Sequence, residues 1–380
     1  MLYLDNAATT ARKPLSVYAS FIKNMLFCSG NAGRGEYKKS MAAVCAILDA
    51  QDNIARLFNI PEPQNIIFTQ NATYALNTAI LGTVKNGGHI IVTAMDHNSV
   101  LRPAYLLGNY TVVPADNLGR VKAEDVEAAI RDDTELIVCT HASNVCGTMQ
   151  PVNEIGKIAK KYGIPFLVDV AQTAGCATVD AQAMNADMIA FAGHKGLMGP
   201  LGTGGLYIKN PEKVYPLVTG GTGSNSESLI QPDFMPDKFH SGTVNAPAVA
   251  ALGKGVEYIL RRGVEDIAGY EDRLARRFRE NLANMDGTVV YGDGSGTATV
   301  AFNIEGLDSG EVSALIGNKA AVRAGYHCAP LAHRALGTQK TGAVRVSFGI
   351  YNKKRDVDRI TDMIYRVCRE VRGCGSLETA

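Results

Sequence analysis

The chain has no long apolar run, no basic-then-apolar leader and almost no net charge, and each absence removes a class of function. No stretch approaches the roughly 20 apolar residues needed to span a bilayer. The opening residues Met1-Leu2-Tyr3-Leu4-Asp5 lack the charged and apolar regions of a secretory signal. Thirty-eight Lys and Arg face 37 Asp and Glu, which leaves no basic footprint for nucleic acid or an anionic membrane surface. There is no CxxC, no HExxH and no metal-ligand spacing, and the eight cysteines are not tightly paired. That usage fits reduced thiols better than a secreted disulfide scaffold, so the expected compartment is the cytoplasm. Repeats and low-complexity linkers are also missing.

What is present is enough apolar residue, 46% of 380, to bury a large core, in a length that suggests two structural units. Apolar runs at Ile90-Ile91-Val92, Leu136-Ile137-Val138, Phe166-Leu167-Val168, Met188-Ile189-Ala190 and Gly205-Leu206-Tyr207-Ile208 are separated by helix-length segments. The alternation predicts an α/β fold with a largely parallel sheet covered by helices on both faces. Residues Ala246 to Met285 read as helical, with Arg261, Arg262, Arg273, Arg276 and Arg277 on solvated faces. They lead to a smaller C-terminal unit, where Thr297 to Ile304 and the strand around Arg345 predict a mixed sheet. Cys45 and Cys139 lie in apolar helical and strand patterns and are expected in the core.

The most informative segment is Ala190-Phe191-Ala192-Gly193-His194-Lys195-Gly196, where an apolar strand runs into a glycine-rich loop carrying one lysine. A surface lysine is the ordinary alternative to a Schiff-base lysine there. Asp169 changes the balance: it ends the buried run Ile164 to Val168, and a carboxylate in that position needs a cation. The ring nitrogen of pyridoxal phosphate is such a cation, and a carboxylate beside it keeps the ring protonated and electron-withdrawing. Gln172 would donate to the cofactor's phenolic oxygen. Ile66 to Asn77 reads as strand, turn and helix start, so the N–H groups around Ala72 and the Thr73 hydroxyl would meet a phosphate, with an ordinary cap at Thr73 as the alternative. Gly199-Pro200-Leu201-Gly202-Thr203-Gly204-Gly205 lacks the Lys-Ser/Thr ending of a nucleotide loop and reads as a tight turn near the site.

With Tyr3-Leu4-Asp5-Asn6-Ala7-Ala8-Thr9-Thr10, Asp96-His97-Asn98-Ser99, Ser143 to Thr148 and Arg323 to Pro330, these segments resemble the class V aminotransferase group of fold-type I pyridoxal phosphate enzymes. Within it they resemble the cysteine desulfurases and selenocysteine lyases, over almost the whole chain. The resemblance implies a large cofactor-binding domain at 16–255 with a seven-stranded, mostly parallel sheet, and a small α+β domain from 1–15 and 256–380. It implies that His97 stacks on the ring, Asn144 and Gln172 hold its substituents, Asp169 its nitrogen, and Lys195 carries it. Thr73 and His194 would bind the phosphate, and Thr243 that of a neighbouring subunit, hence a homodimer. Arg345 would grip the substrate carboxylate, while Asn31 and Arg34 fall in an early active-site segment. Two departures remove hydroxyl donors: Ala192 stands where many relatives have serine, and Ala72 where many have a second threonine.

Cys328, in a polar turn beside His327, matches the residue whose thiolate takes sulfur from L-cysteine as a persulfide and leaves alanine. Its short distance in sequence from Arg345 suggests a compact loop, as in desulfurases that pass sulfur to a dedicated acceptor protein. Selenocysteine lyase, cysteine C–S lyase or aminotransferase, and a non-catalytic scaffold are the alternatives.

Overall fold

The computed structural model describes residues 1–375 apart from positions 29, 33, 34 and 36. Strand β1 (Leu2–Tyr3) is followed by helices α1 (Leu15–Phe27) and α2 (Lys38–Phe58). The main sheet takes β2 (Ile66–Thr69), β3 (His89–Thr93), β4 (Tyr110–Val113), β5 (Thr134–Thr140), β6 (Phe166–Asp169), β7 (Met188–Ala192) and β8 (Gly204–Ile208). Their order is β2-β8-β7-β6-β5-β3-β4. Helices α3 (Ala72–Thr83), α4 (Asn98–Leu107), α5 (Ala123–Ala128) and α6 (Val152–Tyr162) follow β2, β3, β4 and β5 in turn. Strands β4, β3, β5, β6 and β7 pair in parallel, whereas β8 is antiparallel to both its neighbours. Residues 193–203 join β7 to β8 without a helix, and a parallel return needs a crossover.

The apolar runs of these strands are buried on both faces, as a helix-covered sheet requires. One face, with Ile90, Val92, Leu136, Val138 and Leu167, packs on α3 and α4 through Leu76, Ile80, Val100 and Ala104. The other, with Ile91, Ile137, Phe166, Val168 and Phe191, packs on α2 and α6 and on α7 (Ala246–Arg262). Helix α6 shows the local logic: Val152, Ile155 and Ala159 form its buried stripe, and Gly163 ends it in the left-handed region at φ 68°.

Helix α8 (Val264–Ala283) leads into β9 (Thr288–Tyr291), β10 (Thr299–Ile304), α9 (Ser309–Ile316), β11 (Ala320–Ala321), β12 (Arg323–Gly325), α10 (Pro330–Ala335), β13 (Ala343–Ser347) and α11 (Lys354–Gly375). The sheet β12-β13-β10-β9 is antiparallel throughout, which corrects the expected mixed sheet. Parallel pairing is confined to a separate ribbon in which β1 joins β11. Strand β10 is buried along its whole length because Phe302 packs edge-on against Phe278 of α8 on one side while Ala301 joins the main core on the other. Of the five arginines expected on solvated faces, Arg261, Arg273 and Arg276 are exposed. The other two are half-buried: Arg262 donates to the Tyr258 hydroxyl, and Arg277 pairs with Asp358. Cys139 is in the core, but Cys45 lies on the exposed side of α2, because the buried stripe of that helix runs through Ala43, Ala50, Ile54 and Phe58.

Candidate active site

The parallel strands point their carboxyl ends the same way, and the chain leaves four of them with a residue of one crevice. Strand β6 ends in Asp169, β7 runs into His194 and Lys195, β5 ends at Thr140, and β3 is followed by Asp96 and His97. A cavity of about 100 Å³ is lined by Ala72, Thr73, His97, Asn144, Asp169, Gln172, His194 and Lys195, eight positions expected from the sequence. Ser99, Thr140 and Ala192 line it too.

Lys195 keeps some solvent contact, but packing around its amine lowers the pKa from 10.5 to about 8. Desolvation dominates; Asp169 opposes it, and Arg345 and Arg323 reinforce it. Asp169 is buried, which raises its pKa, while an N–H from Ala171 at 2.9 Å and the Lys195 charge pull the other way. Burial also holds His97 and His194 neutral, each at about 4. His97 caps α4, and its Nδ1 accepts the Ser99 backbone N–H at 3.1 Å, which leaves the proton on Nε2. Ser99 Oγ meets Thr73 Oγ1 at 2.8 Å, so the two helix starts are stitched together. The cap of α3 is Asn71, whose side chain accepts the Tyr74 N–H, so Thr73 does not cap the helix and lines the cavity. A Cβ on Gly204 would lie 2.6 Å from Asn71 C and 2.9 Å from Ala72 N, so glycine there lets β8 pass close beneath this turn.

Asp96, fully buried, was not given a role from the sequence. One carboxylate oxygen accepts from Thr93 N at 2.7 Å and the other from Thr140 N at 2.7 Å, which ties the His97 turn to the end of β5. The N-terminal segment was likewise legible only as a motif. Thr10 Oγ1 donates to the Lys195 carbonyl at 2.8 Å, and Lys13 Nζ to the His194 carbonyl at 2.7 Å.

Arg345 on β13 is buried beside the cavity; its Nη1 donates to the Asn144 carbonyl at 2.8 Å and its Nη2 to Asp5 Oδ1 at 2.9 Å. Asn144 Nδ2 donates to the His327 carbonyl at 2.6 Å, and the Asn98 N–H to the Cys328 carbonyl at 2.7 Å. His327 and Cys328 are both left-handed, at φ 49° and 57°, so the turn is not extended. It leaves His327 buried against His333 and Cys328 exposed. Gln172 Nε2 donates to the Ala7 carbonyl at 3.1 Å. Among the described residues, four of the expected ones are not in the cavity lining: Arg345 and Cys328, which lie beside it, and Thr243 and Asn31. Thr243 is exposed, Asn31 offers its carbonyl to Ser40, and Arg34 lies outside the described residues.

The family model for aminotransferase class-V matches residues 2–360. The chain belongs to the class-V aminotransferase family. Among its relatives, a probable cysteine desulfurase of Methanothermobacter thermautotrophicus is 32% identical, with 98% of this chain and 95% of the relative covered. A cysteine desulfurase of Salmonella agona is 30% identical over 97% and 94%. The apo structure of a cysteine desulfurase from Thermococcus onnurineus superposes with a TM-score of 0.89 at 31% identity, covering 97% of this chain and 95% of that one. The fold is that of the fold-type I members of this family, a seven-stranded, mostly parallel sheet with a smaller α+β part. Among the described residues no cluster of side chains could hold a metal ion, and no helix is long and apolar enough to cross a membrane.

Proposed function

We propose that the protein is a pyridoxal phosphate-dependent cysteine desulfurase that converts L-cysteine to L-alanine and takes up the sulfur on Cys328. The observation that carries this reading is the pairing of a desolvated lysine and buried aspartate in one cavity with an exposed cysteine on a turn anchored to that cavity's wall.

The donor set fits the cofactor. Thr73, Ser99, neutral His194 and the N–H groups of Ala72 and Thr73, which precede the first intrahelical bond of α3, make an anion site. Lys195 and Asp169 supply an amine and a buried carboxylate in the same cavity. When bound, the cofactor would supply an electron-withdrawing ring to the substrate amine. Asp169 would hold the proton on the ring nitrogen, His97 would cover the ring face, and Asn144 and Gln172 would orient its substituents. Lys195, partly neutral near pH 7, would move the proton at the substrate Cα. Arg345 would receive the substrate carboxylate. Cys328 Sγ would form an S–S bond to the substrate sulfur as its C–S bond breaks; the thiol proton is carried over, so that L-cysteine and the thiol become L-alanine and a persulfide.

The reading extends to assembly. An acceptor protein would reach the exposed Cys328 beside a groove lined by Leu101, Arg102, Pro330, Leu331 and Arg334. A homodimer is supported by exposed Ile22, Met25, Leu26 and Phe27 on α1, and in it the exposed Thr243 would reach the phosphate of the neighbouring subunit. Assignment of residues 1–15 and 256–380 to the small domain, with 16–255 as the large one, is supported by a core that joins Leu2 and Leu4 to α8 and α11.

The test is alanine formation from L-cysteine with a thiol reductant, run with the Cys328→Ala variant alongside. Alanine from the parent alone, with the variant still yellow, is the expected result. Full sulfide release by the variant would overturn the role of Cys328.

A further inference from the structure

Arg345 is 3% exposed and carries an uneven set of partners. Nη1 is taken by the Asn144 carbonyl and Nη2 by Asp5, while Nε is buried with no partner among the described residues. Asp5 is the more accessible half of the pair, with 21% of its side chain exposed against 3% for the arginine. Its backbone is fixed independently of that carboxylate. Asp5 bridges to Ser347 at the end of β13, the Ser347 N–H donates to the Leu4 carbonyl at 2.8 Å, and the Ala7 N–H donates to Ser347 Oγ at 2.8 Å. The side chain can therefore leave the guanidinium without unseating the segment.

The charges around the pair give such a movement a reason. Arg345 and Arg323 both lower the proton affinity of Lys195, Arg323 also lowers that of Arg345, and Asp5 opposes both effects. A buried guanidinium left without a counter-charge is costly, so an empty site needs a carboxylate on Arg345. A substrate that brings its own carboxylate makes the resident one redundant, and a partly exposed aspartate regains water when it withdraws.

We propose that Asp5 is a placeholder carboxylate: it occupies Arg345 while the site is empty and is displaced by the substrate carboxylate, which pairs with Nη2 and the unpartnered Nε. This rests on the carboxylate-binding role proposed for Arg345. The exchange keeps the charge of the site constant and sets a threshold that only ligands carrying a carboxylate can cross. An amine without one leaves the Asp5–Arg345 pair intact, so Asp5 weakens the hold on carboxylate-bearing ligands alone and thereby sets how readily an α-amino acid is released.

The test is titration of the pyridoxal phosphate-loaded protein with L-alanine and with ethylamine, which is alanine without its carboxylate, followed by cofactor absorbance. Asp5→Ala should tighten L-alanine binding by about tenfold, the scale of one charged hydrogen bond released from competition, and leave ethylamine unchanged. Asp5→Asn, which keeps an acceptor but no charge, should fall between parent and Asp5→Ala. Retained cofactor absorbance shows that each variant is folded. Weaker L-alanine binding in both variants, or equal shifts for the two amines, would overturn the proposal. Arg345→Lys separates the two levels of inference. If it removes the preference for L-alanine over ethylamine, the arginine is the carboxylate site and Asp5 is judged by its own variants. If the preference survives, Arg345 is not that site and the placeholder falls with it.

Discussion

The state of Lys195 gives the sharpest quantitative expectation. Its fall from 10.5 to about 8 corresponds to roughly 3.4 kcal/mol in favour of the neutral amine, an upper figure because the residue keeps some solvent contact. At pH 7 about one molecule in ten would then carry a nucleophilic amine, against about three in ten thousand for an ordinary lysine. Reacting the cofactor-free protein with an amine-selective reagent and quantifying the Lys195 peptide by mass spectrometry reads this directly. The rate should climb with pH through a midpoint near 8 and level off above it. Two variants test the causes separately. Asp169→Asn removes the carboxylate that favours the ammonium and should move the midpoint down. Arg323→Ala removes an exposed cation and should move it up by a smaller, salt-sensitive amount. A parent midpoint near 10, or shifts of the same sign in both variants, would refute the electrostatic account of the site.

Three further expectations follow from the same geometry. Because folding lowers the Lys195 pKa, between about pH 8 and 10.5 the unfolded chain holds a proton that the folded one does not. The cofactor-free protein should therefore gain up to about 3.4 kcal/mol from this group as pH rises through that window, and urea titrations should lose the gain in Lys195→Met. Gly204→Ala would press a methyl group onto Asn71 and Ala72, and an overpacking strain of about 1–3 kcal/mol should weaken pyridoxal phosphate binding about 5- to 150-fold in equilibrium titration. Ala192→Ser restores a hydroxyl to the cavity wall and should slow cofactor loss to a competing carbonyl reagent, on the scale of one hydrogen bond, about 1 kcal/mol. Unchanged retention would mean that the absent hydroxyl costs this chain nothing.

The parts of the molecule that could be read from the chain are those written in short-range pattern. Apolar runs ending in Asp169 or leading into His194-Lys195 are strands whose ends face one crevice, because parallel pairing leaves no other arrangement. The direction of β8 was not legible, since it depends on how residues 193–203 turn back. The burial of Cys45 was misread because α2 carries apolar residues on more than one face. Contacts across long sequence separations were the least visible. Nothing local to Lys13 says that its ammonium will sit 2.7 Å from the His194 carbonyl, 181 residues away. Nor does anything near Asp5 announce Arg345, since both pairings exist only once β1 has joined β11 and β13 has formed.

The turn at His327 and Cys328 is held by its own carbonyl oxygens, which accept from Asn144 and Asn98. Neither bond involves what hangs from position 328. The backbone therefore acts as a socket, and the group plugged into it can change without loosening the fitting. Sulfur can gain a second sulfur atom, be alkylated by a trapping reagent, or be replaced by oxygen or selenium, and the loop keeps its footing. Chemistry at this position can thus be varied one atom at a time, with the surrounding fold as a constant reference.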